Sequence, residues 1–167
     1  MSSSDTPGDP VDRLAALSSC ALLSDFTDVG LRILADACEE RSVGRGTYAF
    51  RAGEPSAALF FIARGTLHLL PRDGGTPIGE VSAGDTLGGF SLLVGGEHLL
   101  SALATNDVEL LSLSKEAYDG LQKSHPRAIL KLTLALAQDL AERLREAKGP
   151  LREFLVWQIS KKQAGGG

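Results

Sequence analysis

Residues 84–104 read Gly-Asp-Thr-Leu-Gly-Gly-Phe-Ser-Leu-Leu-Val-Gly-Gly-Glu-His-Leu-Leu-Ser-Ala-Leu-Ala. The pattern is a glycine turn, a very short apolar element, a second glycine turn and an apolar strand. A glycine pair, Gly88-Gly89, ahead of a short helix leaves backbone N–H groups with no intrahelical partner. Such an array attracts phosphate, helped by the positive end of the helix dipole. The same pattern also serves as a tight connection in a β-rich domain, because glycine punctuation is common. The surrounding chain decides between the two.

On both sides of this stretch, short apolar runs alternate with glycine-bearing turns. The turns are Gly44-Arg45-Gly46, Gly53-Glu54-Pro55, Gly65, Asp73-Gly74-Gly75, Gly84-Asp85, Gly88-Gly89 and Gly95-Gly96. The runs between them cover residues 48–51, 58–63, 66–70, 78–81, 99–104 and 109–113. Several short strands at this spacing predict an antiparallel sandwich or barrel rather than a parallel sheet. Asp73-Gly74-Gly75 supplies the residues tolerant of left-handed backbone that a tight hairpin needs.

Helical periods flank this region. Asp9-Pro10 reads as an N-cap followed by proline at the first helical position, with Val11, Leu14, Leu17 and Ala21 on one face. Thr27-Asp28 predicts a second cap, ahead of Val29, Leu31, Ile33, Leu34 and Cys38. Ser114 caps a short helix with Tyr118 and Leu121 inward, and His125-Pro126 opens a long one over residues 126–148. That long helix is apolar on more than one face, so it needs cover on two sides. One side suits the β-roll. The other predicts the same helix of a second subunit, along a seam of Ile129, Leu132, Leu136, Leu140 and Leu144. Gly149-Pro150 breaks the helix, and residues 151–162 predict one more, with Leu151, Phe154, Leu155 and Ile159 on one side and Trp157 docked on the chain or its dimer mate. Residues 1–8 and the terminal glycines read as flexible ends.

With 167 residues, 43% hydrophobic and 23% charged, the chain predicts one globular domain, residues 9–148, plus a C-terminal extension over 149–167. The formal net charge of −4 speaks against a nucleic-acid binder, which carries a basic footprint. Cys20 and Cys38 lie in apolar surroundings without metal-ligand spacing and read as core thiols. No signal peptide and no membrane span is legible, so the expected setting is reducing and cytoplasmic, with no membrane partner. No zinc spacing, nucleophile elbow or phosphate-loop motif of the Walker type occurs, so neither a metal nor catalytic residues are expected and the chain does not read as an enzyme. His68 reads as an outward strand residue and His125 as a turn residue.

Taken together, the chain resembles the cyclic-nucleotide-binding domain of the bacterial catabolite-activator (Crp/Fnr-like) type. The resemblance runs from about residue 13 to 147. It is carried by Ala21-Leu22-Leu23-Ser24-Asp25-Phe26, residues 48–55, residues 58–65, Gly84-Asp85-Thr86-Leu87-Gly88-Gly89, residues 110–114 and His125-Pro126. It implies an α+β, mainly β fold: an antiparallel jelly-roll β-barrel over about residues 40–113, flanked by N-terminal helices and a long C-terminal helix. It also implies that residues 84–104 are the phosphate-binding cassette. In the family, backbone N–H groups and an arginine hold the cyclic phosphate, a glutamate accepts the ribose hydroxyl, and a polar residue of the long helix touches the base.

The resemblance places the candidate ligand residues at Gly88, Gly89, Phe90, Ser91, His98, Leu99, Ser101 and Thr133. Gly88 matches the cassette glycine. Gly89 stands where the glutamate is expected and His98, after Glu97, where the arginine is expected. Ser101 matches a small hydroxyl position, and either Thr133 or Lys131 stands to face a base, depending on helix rotation. Arginine grips phosphate with two donors and a permanent charge, whereas histidine offers one donor and is mostly neutral near pH 7. Losing one charge-assisted hydrogen bond costs about 1.5–3 kcal/mol, roughly one to two decades of affinity.

The resulting expectation is a non-enzymatic, homodimeric regulatory or protein-interaction module with an unidentified protein partner and no cofactor. Its binding of ordinary cyclic AMP or cyclic GMP is weak or lost. One alternative is a working sensor that grips through backbone amides, His98 and Ser101. Another is the sensor half of a split transcription regulator. The family's transcription factors carry a winged helix-turn-helix after the long helix, and residues 149–167 are too few for one, so no DNA binding is expected.

Overall fold

The computed structural model describes residues 11–72, 74–147, 149 and 153. Among the described residues, eight strands form two four-stranded antiparallel sheets. They are β1 (Glu39–Val43), β2 (Tyr48–Phe50), β3 (Ala58–Arg64), β4 (Thr66–Leu70), β5 (Gly79–Ser82), β6 (Thr86–Leu87), β7 (Ser101–Ala104) and β8 (Val108–Ser114). One sheet has the order β1-β8-β3-β6 and the other β2-β7-β4-β5. This is the expected jelly roll. Helices α1 (Arg13–Ser18) and α2 (Asp28–Ala37) precede it, α3 (Gly89–Val94) sits between β6 and β7, and α4 (Lys115–Ser124) and α5 (Pro126–Glu146) follow.

Alternation along β3 and β8 organises two cores. Phe60, Ile62, Val108 and Leu110 point into the roll with Ala49, Phe50, Leu67, Val81, Ala102 and Ala104. Leu59, Phe61, Leu111 and Leu113 point the other way, onto a second cluster with Leu31 and Leu34 of α2, Leu92 of α3, Tyr118 of α4 and Ile129, Leu132 and Leu136 of α5. Successive side chains of a strand face opposite sides, so a strand covered on both faces must be apolar throughout. That is why Leu59-Phe60-Phe61-Ile62 runs without a polar break.

Local signals set most boundaries. Thr27 Oγ1 accepts from Gly30 N at 3.2 Å and Ser114 Oγ from Ala117 N at 3.0 Å, so both expected caps form. The first helix begins later than Asp9-Pro10 predicts: Asp12 caps it through Ala15 N at 3.1 Å. Arg13 then donates to the carbonyls of Ala35 and Cys38 at 3.1 and 2.7 Å, adding a side-chain tie at the C-terminal end of α2. Gly74 and Gly75 adopt φ of 81° and 95° in the β4–β5 connection. α5 ends at Glu146, two residues before the expected limit. Residues 1–8, Asp9-Pro10, Asp73, Pro150 and the extension's Leu151, Phe154, Leu155, Trp157 and Ile159 lie outside the described residues.

The expected dimer seam is corrected by the rotation of α5. Ile129, Leu132 and Leu136 are 2%, 0% and 4% exposed and belong to the chain's own core, because these are the residues α5 turns toward the sheet and α3. Leu140 faces a cleft beside the cassette. The large apolar residues that α5 leaves in solvent are Leu130 and Leu134, 61% and 54% exposed. Cys20 and Cys38 are free and buried, and burial pushes the Cys38 thiol up to about 12. Among the described residues, no helix is long and apolar enough to cross a membrane.

Candidate functional site

β6 is followed by Gly88, which turns the chain into α3 with φ 84° and ψ 6°. A Cβ there would lie 2.4 Å from the backbone oxygen of Ala58 on β3. Only glycine occupies this left-handed position without strain and lets the two backbones approach this closely. Gly89 has a different reason. A Cβ at Gly89 would lie 2.7 Å from Leu136 Cδ2, so α5 packs directly on the first residue of α3. The position at which the resemblance expects a glutamate is covered by a leucine of the long helix.

A cleft of about 440 Å³ lies alongside. Leu69, Thr86, Leu87, Gly88, Gly89 and Leu100 form its roll side, and Leu136, Asp139, Leu140, Arg143, Glu146 and Ala147 its helix side. Arg143 Nε donates to Asp139 Oδ2 at 2.8 Å across one helical turn, so the cleft's arginine is already paired with a carboxylate.

Of the residues expected to hold a ligand, only Gly88 and Gly89 line this cleft. Phe90 is half-buried, and Ser91 is buried with its carbonyl accepting from Gly95 N at 2.7 Å, which closes α3. His98 is only 8% exposed, and its ring stacks on Phe50 with centroids 3.7 Å apart and planes 7° from parallel. Its backbone pairs with the turn opposite: His98 N donates to Glu54 O and Gly53 N to His98 O, both at 2.8 Å. Burial lowers the His98 pKa; the Glu54 carboxylate opposes the shift, and the Arg41 guanidinium adds a smaller push downward. The ring is therefore held neutral inside the roll instead of presenting a positive donor to the cleft.

Ser101 Oγ accepts from Ala52 N at 2.9 Å, so its hydroxyl also ties the 51–56 turn to β7. Leu99 is half-buried outside the cleft lining, and its neighbour Leu100 takes the lining place. Thr133 shares a 2.6 Å hydrogen bond with Tyr118 Oη and donates to Ile129 O at 2.8 Å, tethering α4 to α5. Lys131 donates to the carbonyl of Asp25 at the far side of the helix. Neither residue lines the cleft. The helix residues that do, Leu136, Asp139, Leu140, Arg143 and Glu146, follow three- and four-residue spacing from Leu136. Once one of them is placed, the rest follow. His68 pairs with Glu80 across β4 and β5 at 3.1 Å, and among the described residues no group of His, Cys, Asp or Glu is arranged to hold a metal.

The family model for the cyclic nucleotide-binding domain matches residues 40–125. The chain belongs to the cyclic nucleotide-binding domain family. The domain is 33% identical over 112 residues to the cyclic AMP receptor protein of Thermus thermophilus, covering 65% of this chain and 50% of that protein. It is 24% identical over 149 residues to an uncharacterized NTE family protein of Mycobacterium tuberculosis, covering 89% of this chain and 25% of that protein. The chain thus spans a quarter of the length of the mycobacterial relative and half that of the Thermus receptor. Among solved structures, a cyclic nucleotide-binding domain from Methylobacillus flagellatus superposes with a TM-score of 0.71 at 25% identity, covering 80% of this chain and 77% of that one. The Thermus thermophilus catabolite activator protein gives 0.68 at 28% identity, covering 83% of this chain and 62% of that one. The chain is therefore a cyclic nucleotide-binding domain module of the catabolite-activator type.

Proposed function

We propose that this domain works as a non-enzymatic regulatory or protein-interaction module whose grip on ordinary cyclic AMP and cyclic GMP is weak or lost. The observation that carries the reading is the cleft itself. Leu136 covers the position of the ribose-binding glutamate, and Leu100 stands where β7 begins. Arg143, the arginine among the described lining residues, is paired with Asp139. Among the described residues a cyclic phosphate entering this cleft meets no unpaired cation, and Glu146 adds a second carboxylate. The alternative, a sensor gripping through His98 and Ser101, is the poorer fit, since both side chains are engaged within the roll.

The domain acts as a homodimer through α5 in this reading, along its outward face. Leu130, Leu134, Ala137, Ala141 and Leu144 are spaced four, three, four and three residues apart, the heptad pattern of a two-helix seam. Leu130, Leu134, Ala137 and Ala141 are exposed and Leu144 half-exposed, on the side of α5 turned away from Ile129, Leu132 and Leu136. The further partner is a protein, with no direct DNA contact, given the acidic balance of −4. Free, unpaired Cys20 and Cys38 suit a reducing, cytoplasmic setting. Isothermal calorimetry with cyclic AMP and cyclic GMP tests the ligand reading. The expected outcome is no saturable heat up to about 1 mM nucleotide, the weak end of specific affinities. Saturable binding in the micromolar range overturns it.

A further inference from the structure

We propose that the cleft between the cassette and the last turns of α5 is a binding site for an uncharged, largely apolar small molecule. The proposal rests on the reading that nucleotide grip is weak or lost, and it names what the same cleft is built to take instead. The cleft volume of about 440 Å³ lies within the range of roughly 300–1,000 Å³ typical of small-molecule sites. Six apolar side chains, Leu69, Leu87, Leu100, Leu136, Leu140 and Ala147, come from four separate parts of the chain to line it.

The charges of the described lining residues favour an uncharged ligand. Among the described residues the lining holds one cation, Arg143, against two carboxylates, Asp139 and Glu146, and Arg143 already bonds Asp139 at 2.8 Å. Arg143 and Asp139 are themselves partly in solvent, so an anion that took Arg143 from Asp139 would exchange one weak, screened pair for another and gain little. A cation would find Glu146 only in solvent, where an ion pair contributes little. An apolar body loses no charge hydration on entry and removes leucine surface from water. The Thr86 hydroxyl at the roll side and the Asp139–Arg143 pair at the helix side offer polar contacts that would orient such a ligand.

Titration of the full chain with the neutral fluorophore N-phenyl-1-naphthylamine tests this. The expected result is saturable one-to-one binding with blue-shifted emission. Leu100→Gln is expected to weaken it about tenfold or more, as loss of an apolar wall does. Leu140→Gln lies on α5 outside the sheet and gives the same test without touching the roll; circular dichroism verifies the fold of each variant. Val29→Gln, 68% exposed on α2 and outside the cleft lining, is expected to leave binding unchanged. No saturable binding, or binding kept at full strength in both cleft variants, overturns the proposal. Displacement of the probe by cyclic AMP overturns both this proposal and the weak-grip reading. Absence of probe binding together with silent cyclic AMP calorimetry overturns this proposal alone.

Discussion

Replacing Gly88 by alanine separates the structural role of the cassette glycine from any role in ligand binding. The residue has φ 84°, and a Cβ would sit 2.4 Å from Ala58 O. Holding an L-residue in left-handed backbone costs about 1–2 kcal/mol. Relieving a contact with a strand carbonyl, which cannot rotate aside, adds about 1–3 kcal/mol. The expected loss is therefore about 2–5 kcal/mol, a large share of the ~5–15 kcal/mol stability of an ordinary domain. Gly89→Ala is the control. Its Cβ meets the end of the Leu136 side chain at 2.7 Å, a group that can shift, and its backbone is not left-handed. Overpacking there costs about 1–3 kcal/mol, while removing a helical glycine returns about 0.5–1 kcal/mol. Urea unfolding followed by circular dichroism reads both variants. With a slope of about 1–3 kcal/mol per molar for small proteins, Gly88→Ala should lower the midpoint by about 1 M or more, and Gly89→Ala by clearly less. Equal losses, or a larger loss at Gly89, would refute the reasoning that Gly88 is demanded by the fold alone.

Other expectations follow from the same contacts. Because burial lowers the His98 pKa, its neutral form is the one the fold accommodates. Its contribution is complete above the ordinary value of 6.5 and is lost as pH falls from there through the lowered folded value. Urea midpoints between pH 7.5 and 4.5 should therefore fall more steeply in the native protein than in His98→Phe; parallel curves would count against it. Leu134→Glu should convert a dimer into a monomer in sedimentation velocity without altering the circular dichroism spectrum, and a native chain that is monomeric at high concentration removes the dimer. Tyr118→Phe should lower stability by about 1 kcal/mol through loss of the hydrogen bond to Thr133, with little further loss when Thr133→Val is added. Additive losses would mean that the two hydroxyls do not act as a pair.

Much of the fold was legible because local chemistry set it. Thr27 and Ser114 form their expected caps, and Pro126 opens α5 at a residue where no N–H is required. The glycines after β4 and before α3 take the left-handed backbone that only glycine adopts freely. Two strands escaped the sequence. β1, Glu-Glu-Arg-Ser-Val, has no apolar alternation because it is an edge strand held by backbone pairing from Glu39↔Ser112 to Val43↔Val108. β6 is two residues long, too short for any period to register.

The site was less legible than the fold. The glycine pair identifies where the cassette lies, but residue type cannot say which side chains reach it. Histidine at position 98 fits a phosphate donor as well as an interior aromatic, and only the packing of Phe50 against its ring decides for the interior. The long helix is apolar on two sides, so its composition is compatible with several rotations. The outward faces of β3 and β8 select the one that buries Ile129, Leu132 and Leu136 and brings Asp139, Leu140 and Arg143 to the cleft. Turns, caps and the both-sides-buried strand β3 are short-range consequences of residue chemistry, and the sequence by itself determined them. Helix rotation, the inward turn of His98 and the apolar lining around Gly88 and Gly89 depend on contacts between segments far apart in the chain, and only the tertiary structure decided those.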